Sequence, residues 1–224
     1  MRSSNSGERR AADDVFLLSP AYCGGRRAVM LLEPRSSFPT ADALAAGTLT
    51  LGDAFAFMSG LYFRGKLAYA NTFGRALVIT PTRGLMPAGA IVSRALLREF
   101  ADVDIRADDP RFRDPLEASA ADLAETLSDH ARVILLGSVA TPKYVDVLTE
   151  AFGGRLYFPP AFIGRGDMSR GGLLLRSARS GVPLDYAELT PVTRRTGARP
   201  PKLPKLTRAG TPNAVVKWKR RRRR

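Results

Sequence analysis

Between Phe162 and Gly172 the chain gathers four glycines, two arginines, an aspartate and a serine in eleven residues. The run before it, Arg155 to Pro160, is short, aromatic and closed by prolines, and the run after it, Leu173 to Ser180, has leucines and arginines at helical spacing. The spacing predicts a strand-to-helix turn, where glycines let backbone N–H groups approach an anion and arginines add forked donors. This is chemistry for a phosphate-bearing substrate. Asp167 is the odd member, because a carboxylate in an anion site is unfavourable unless it reacts or orients an arginine. Arg165, Ser169 and Arg170 are the candidate phosphate ligands beside it.

The elements that must position these residues read as an alternation. Val15 to Ser19, Leu77 to Thr80, Val133 to Gly137 and Arg155 to Phe158 are short continuous apolar runs, the pattern of strands buried on both faces. Helical patterns lie between them at Leu51 to Tyr62, Lys66 to Phe73, Ser93 to Phe100, Pro115 to Leu127 and Lys143 to Phe152. Arg27 to Glu33 reads as an additional strand. The expected fold is α/β, a three-layer α/β/α sandwich with a mainly parallel central sheet. In such sheets ligands collect outside the carboxyl ends of the strands. Those ends carry Ser19 to Arg27, Pro81 to Pro87 and Gly137 to Tyr144, so Ser138, Lys143 and Arg83 join the candidate site.

The formal charge is +14, yet from Arg194 onward there are 13 Lys or Arg and no acid, which leaves 22 basic against 21 acidic residues before it. The basic excess is a property of the tail. Residues 193–224, with prolines at 200, 201, 204 and 212 and five terminal arginines, read as a disordered arm. Such an arm binds a polyanion through counterion release, and nucleic acid is the expected partner. The expected organisation is a flexible N-terminus over 1–14, a domain over 15–192 and the tail. Cys23 and His130 are the sole residues of their types, which argues against disulfides and thiolate or histidine metal centres. The polar N-terminus and the lack of a long apolar run predict a cytoplasmic protein with no membrane partner. Asp102 to Pro115, including Asp108-Asp109, reads as a charged surface loop. Oligomeric state is not legible.

Neither a Gly-x-Gly-x-x-Gly after the first strand, a Walker-type loop nor a Gly-x-Ser-x-Gly elbow occurs. From Arg132 onward, however, Val133-Ile-Leu-Leu-Gly-Ser-Val-Ala140, the Phe162 to Gly172 loop, the Leu173 to Gly181 helix and Val182-Pro-Leu-Asp-Tyr186 follow one another in an order that resembles the C-terminal half of the uracil-DNA glycosylase superfamily. Leu17-Leu-Ser-Pro-Ala21 and the Thr80 to Pro87 turn also resemble the YaaA-like peroxide-stress proteins, which associate with DNA. The likeness implies a uracil-DNA-glycosylase-like fold and a DNA glycosylase, with no cofactor and no metal. The family's acid-bearing first turn has no equivalent here, and its histidine-containing turn has lost the histidine.

On that resemblance Asp167 is the expected catalytic acid, since glycosidic cleavage builds positive charge on the sugar that a carboxylate offsets. Ser19, Tyr22, Cys23 and Gly24 form the expected base pocket, with Tyr22 stacking on a flipped base. Arg64, Lys66, Arg83, Ser138, Lys143, Arg165, Ser169 and Arg170 are the expected contacts to DNA phosphates, on a duplex with a flipped base or on a single strand. The small residues Cys23-Gly24-Gly25 leave space for a base bulkier than uracil, such as a C5-modified pyrimidine of phage DNA, in a defence or repair role. Two other classes stay open: a catalytically silent DNA-binding protein on the same fold, and an N-glycosyl transferase or hydrolase of free nucleosides or nucleotides.

Overall fold

A computed structural model describes residues 14–140, 142–193 and 196–203. The expected N-terminal segment, apart from Asp14, and the tail beyond Leu203 lie outside the described residues. The elements follow in the order β1 Val15–Leu18, α1 Arg26–Leu32, α2 Pro39–Ala45, α3 Leu51–Ser59, α4 Leu61–Phe73, β2 Arg75–Ile79, β3 Leu85–Pro87, α5 Arg94–Ala101, α6 Pro110–Thr126, β4 Val133–Leu136, α7 Val145–Phe152, β5 Leu156–Phe158, α8 Asp167–Ser180 and β6 Ala187–Glu188. They build an α/β fold around a mixed six-stranded sheet of order β3-β2-β1-β4-β5-β6. The inner four strands are parallel, while β3 and β6 run antiparallel at the two edges.

Period-two alternation explains why the strand sequences are apolar throughout. On β1, Phe16 and Leu18 pack with Val78, Ile134 and Leu136 against the α1–α5 and α8 side, whereas Val15 and Leu17 pack with Leu77, Ile79, Val133 and Leu135 against α6 and α7. Every residue of β1 and β4 is buried. Each such large side chain contributes about 1.5–3 kcal/mol of transfer free energy, so a polar substitution on either face of β1 is destabilising.

Two local expectations are corrected. Arg26–Leu32 is a helix rather than a strand: Ala28 and Leu31, three residues apart, are its buried positions, and Val29 and Met30 stay exposed. The acidic segment is a loop only to Asp109, which caps α6 by accepting a hydrogen bond from the Arg111 N–H at 3.0 Å. Pro110 then supplies the first helical residue, where its missing N–H costs nothing, and Pro115 lies inside the helix instead of opening it. Asp108 and Asp109 each pair with their own arginine, Arg106 at 2.8 Å and Arg111 at 2.6 Å.

The chain leaves β1 to one side to form β2 and returns on the other side to form β4. Strand order therefore reverses between β1 and β4, and the crevice beyond their carboxyl ends is where an open α/β sheet offers a ligand site.

Candidate functional site

The pairing of β1 with β4 continues one residue past the strands, since the Ser19 N–H donates to the Leu136 carbonyl at 3.3 Å. This sets Ser19 beside Gly137, where a Cβ would stand 2.8 Å from both the Ser19 Cβ and the Tyr144 hydroxyl. A glycine is required there because a serine and a tyrosine already fill the space. Tyr144 donates to the Ser138 carbonyl at 3.0 Å, and the Ser19 hydroxyl lies within hydrogen-bonding reach of its phenol. Burial pushes the Tyr144 phenol up, with the Ser19 and Ser138 contacts opposing.

Lys66 completes this floor. It sits on the buried stripe of α4 with Tyr62, Phe63, Tyr69 and Ala70 and is 1% exposed. Its Nζ donates to the Ser19 carbonyl at 2.5 Å and contacts the Ser19 Oγ at 2.9 Å, and it lies 4.6 and 4.5 Å from the ring centres of Tyr62 and Phe63. Burial pushes its pKa down to about 7; the charge of Asp167 opposes this and that of Arg170 adds to it. The expected contact to a DNA phosphate is thus corrected, because a side chain enclosed by aromatic rings and a backbone carbonyl cannot reach a phosphate outside. Near it the buried Tyr62 hydroxyl finds no hydrogen-bond partner of good geometry among the described residues, although the Arg170 guanidinium lies beside it.

These groups line a cleft of about 720 Å³ together with Tyr22, Cys23, Gly24, Ser138, Lys143 and Asp167, faced by the Val103–Arg106 segment. Asp167 stands at the rim: its side chain is 72% exposed and its carboxylate is 3.7 Å from Arg170. Lys143 is exposed at the mouth. Tyr22, 69% exposed, folds back on its own turn, so that a Cβ at Gly24 would meet its hydroxyl at 2.7 Å and its ring at 2.9 Å. The expectation that Gly24 and Gly25 open room for a bulky base is corrected, since the Tyr22 ring occupies that room. Cys23 is buried, with its thiol directed to the Ala21 carbonyl and its pKa pushed up to about 12 by burial.

Gly171 and Gly164, unlike Gly166 at the open N-terminus of α8, differ from the expected phosphate cradle. A Cβ at Gly171 would lie 2.7 Å from the Leu61 carbonyl, and one at Gly65 would lie 2.7 Å from the Gly171 carbonyl. These two glycines let α4 and α8 pack backbone to backbone, which holds Tyr62 and Lys66 opposite Asp167 and Arg170. Gly164 has φ +71°, and a Cβ there would meet the Ala198 carbonyl at 2.1 Å. Residues 197–203, expected within a disordered tail, run against this loop: Arg165 donates to the Pro201 carbonyl at 3.2 Å, and Ile163 and Gly172 face Gly197 and Leu203.

The remaining expected phosphate contacts are dispersed. Arg83 is held by Glu99 in a two-pronged pair at 2.8 and 2.6 Å. Arg165 ties Ala161, Ser169 and Pro201 together, and Arg170 donates to the Phe162 carbonyl at 3.2 Å. Arg64 belongs to a second, shallower groove with Arg27, on the α1–α3 side. Of the predicted set, Ser19, Tyr22, Cys23, Gly24, Lys66, Ser138, Lys143 and Asp167 come together in the cleft, and Arg64, Arg83, Arg165, Ser169 and Arg170 do not line it. Tyr62 and Tyr144 were not foreseen. The signal for Lys66 lay in the periodicity of α4, where it falls in step with Tyr62, Phe63 and Tyr69.

The chain carries an α/β fold with a cleft of mixed polar and apolar lining at its topological switch point, and no cluster of three or more metal-binding side chains occurs among the described residues. No helix among the described residues is long and apolar enough to cross a membrane. Comparison with family models, curated proteins and solved structures finds no match to this chain.

Proposed function

We propose that this protein is a DNA glycosylase, hydrolysing the N-glycosidic bond of a nucleotide turned out of its strand and leaving an abasic site. The observation that carries the reading is the cleft between β1 and β4. Its volume falls in the roughly 300–1,000 Å³ range of small-ligand sites, and it sets an exposed aromatic ring, Tyr22, and a carboxylate, Asp167, around a floor of hydroxyl and amine groups. Tyr22 stacks on the extruded base. Asp167 offsets the positive charge that grows on the sugar as the bond lengthens, and Lys143 and Ser138 hold the flanking backbone. The likeness of residues 132–186 to the uracil-DNA glycosylase superfamily belongs to the same proposal, as does delivery to DNA in a cytoplasm by the basic residues after Arg194.

Duplex and single-stranded DNAs carrying uracil, 5-hydroxymethylcytosine or glycosylated cytosine, together with natural phage DNAs, test this by the appearance of abasic sites. Release of a base from at least one of them is expected. Intact DNA throughout refutes it. A second reading, a silent DNA-binding protein, is favoured by one observation: Asp167 is largely exposed and paired with Arg170, as a bracing residue would be. Asp167→Asn separates the two, because it lowers base release about 100-fold in a glycosylase whose carboxylate offsets the sugar's charge, whereas a silent protein holds DNA as before and has no base release to lose.

A further inference from the structure

We propose that Lys66, acting through the Ser19 hydroxyl, is the base that takes the proton from the water attacking the sugar, a role that rests on the glycosylase reading above. Asp167 is poorly placed for that task. It lies at the rim, largely in solvent and paired to Arg170, whereas Ser19 lies on the buried floor of the cleft. The Ser19 Oγ stands between the Lys66 amine at 2.9 Å and the Tyr144 phenol.

Geometry allows only one arrangement of hydrogens that makes Lys66 an acceptor. The Ser19 carbonyl can accept and cannot donate, so one amine hydrogen points to it at 2.5 Å. The contact with Oγ is free to run either way: an ammonium donates to the serine, and a neutral amine accepts from it. The surroundings favour the neutral amine. Facing Lys66 are Asp167 and Arg170 from α8, Tyr62 from its own helix and Ser19 from the turn after β1, and no carboxylate among the described residues forms an ion pair with it. Burial away from water disfavours its charged form, a loss that the faces of the Tyr62 and Phe63 rings offset only in part.

The step balances without a cofactor. The C1′–N bond breaks and its electron pair leaves with the base. Water forms the new C1′–O bond as one of its protons passes to Ser19 Oγ and the Ser19 proton passes to Lys66 Nζ. The resulting ammonium returns its proton to the departed base or to solvent. Lys66 is a positioning and proton-holding residue, and Ser19 is the group that touches the water.

Two measurements on the full chain test this. The chain has six lysines, so 13C-labelled lysine side chains give a spectrum in which Lys66 is identified by its loss in Lys66→Arg. One lysine is expected to titrate near pH 7. In the second measurement, base release by the wild type rises between pH 6 and 8. Lys66→Arg keeps a donor for Ser19 but cannot accept a proton at these pH values, and it is expected to lose at least about 100-fold in rate and all of that pH dependence. Ser19→Ala loses the same limb. If no lysine titrates below pH 9, the inference falls whatever the substrate; if Lys66→Arg keeps its rate within threefold and its pH profile, it falls while the glycosylase reading stands. A lysine that titrates near 7 in a protein releasing no base from any DNA overturns both together.

Discussion

Replacing Lys66 by methionine should change how stability depends on pH. The side chain is fully enclosed, so solvent does not screen the cost of charging it. Its ordinary pKa of 10.5 falls to about 7 in the fold. Between those values the unfolded chain binds a proton that the folded chain does not, and stability therefore climbs with pH. Below pH 7 both states are protonated and the penalty is complete, on the order of 5 kcal/mol. From pH 7 to pH 9 it shrinks by roughly 2 kcal/mol. Lys66→Met removes the titration and leaves the Ser19 carbonyl without its donor, which adds a cost independent of pH. Urea unfolding of both proteins at pH 5, 6, 7, 8 and 9, compared as a difference, cancels the other titrating groups. The wild type should gain about 2 kcal/mol on the variant between pH 7 and 9 and almost nothing between pH 5 and 6. A difference that stays flat from pH 6 to 9 would mean that the amine is charged in the fold and would remove the physical basis for its role as a base.

Three further outcomes follow from the packing. Gly65→Ala places a methyl group 2.7 Å from the Gly171 carbonyl; overpacking at the α4–α8 seam should cost about 1–3 kcal/mol, offset by up to about 1 kcal/mol of helix propensity, and thermal melting measures the net loss. Gly164→Ala strains a backbone at φ +71° and collides with Ala198, so residues 197–203 should detach and become open to trypsin at Lys202 while the wild type resists cleavage there. The Cys23 thiol, buried with its pKa raised to about 12, should react with a disulfide reagent only on unfolding; fast labelling of the native protein would contradict that placement.

The sheet was legible in the sequence because β1, β2, β4 and β5 are continuous apolar runs, and only strands covered on both faces need them. Its edges were not. β3 and β6 are three and two residues long, too short for any period to show. α1 was misread since Val29, Met30, Leu31 and Leu32 stand in a row, and two of those apolar residues point outward at no local cost. The start of α6 was ambiguous because Pro110 and Pro115 both satisfy the rule for a first helical residue. At the site, Ser19, Tyr22 and Asp167 followed from topology, as loops at the carboxyl ends of parallel strands must meet. The place of Lys66 did not: the neighbouring Arg64 and Gly65 made the segment look solvated, although the spacing from Tyr62 to Tyr69 put it on the inner stripe. The roles of Gly65 and Gly171 depend on two helices more than a hundred residues apart, a relation no single segment records.

With bare backbone touching bare backbone between α4 and α8, nothing soft separates the two helices that carry Lys66 and Asp167. They form one stiff bracket and have no hinge between them. If the cavity must widen for a larger guest, the yielding part is the opposite bank around Val103 to Arg106, and tolerance for different guests would be tuned there by loop changes that leave the reacting groups undisturbed.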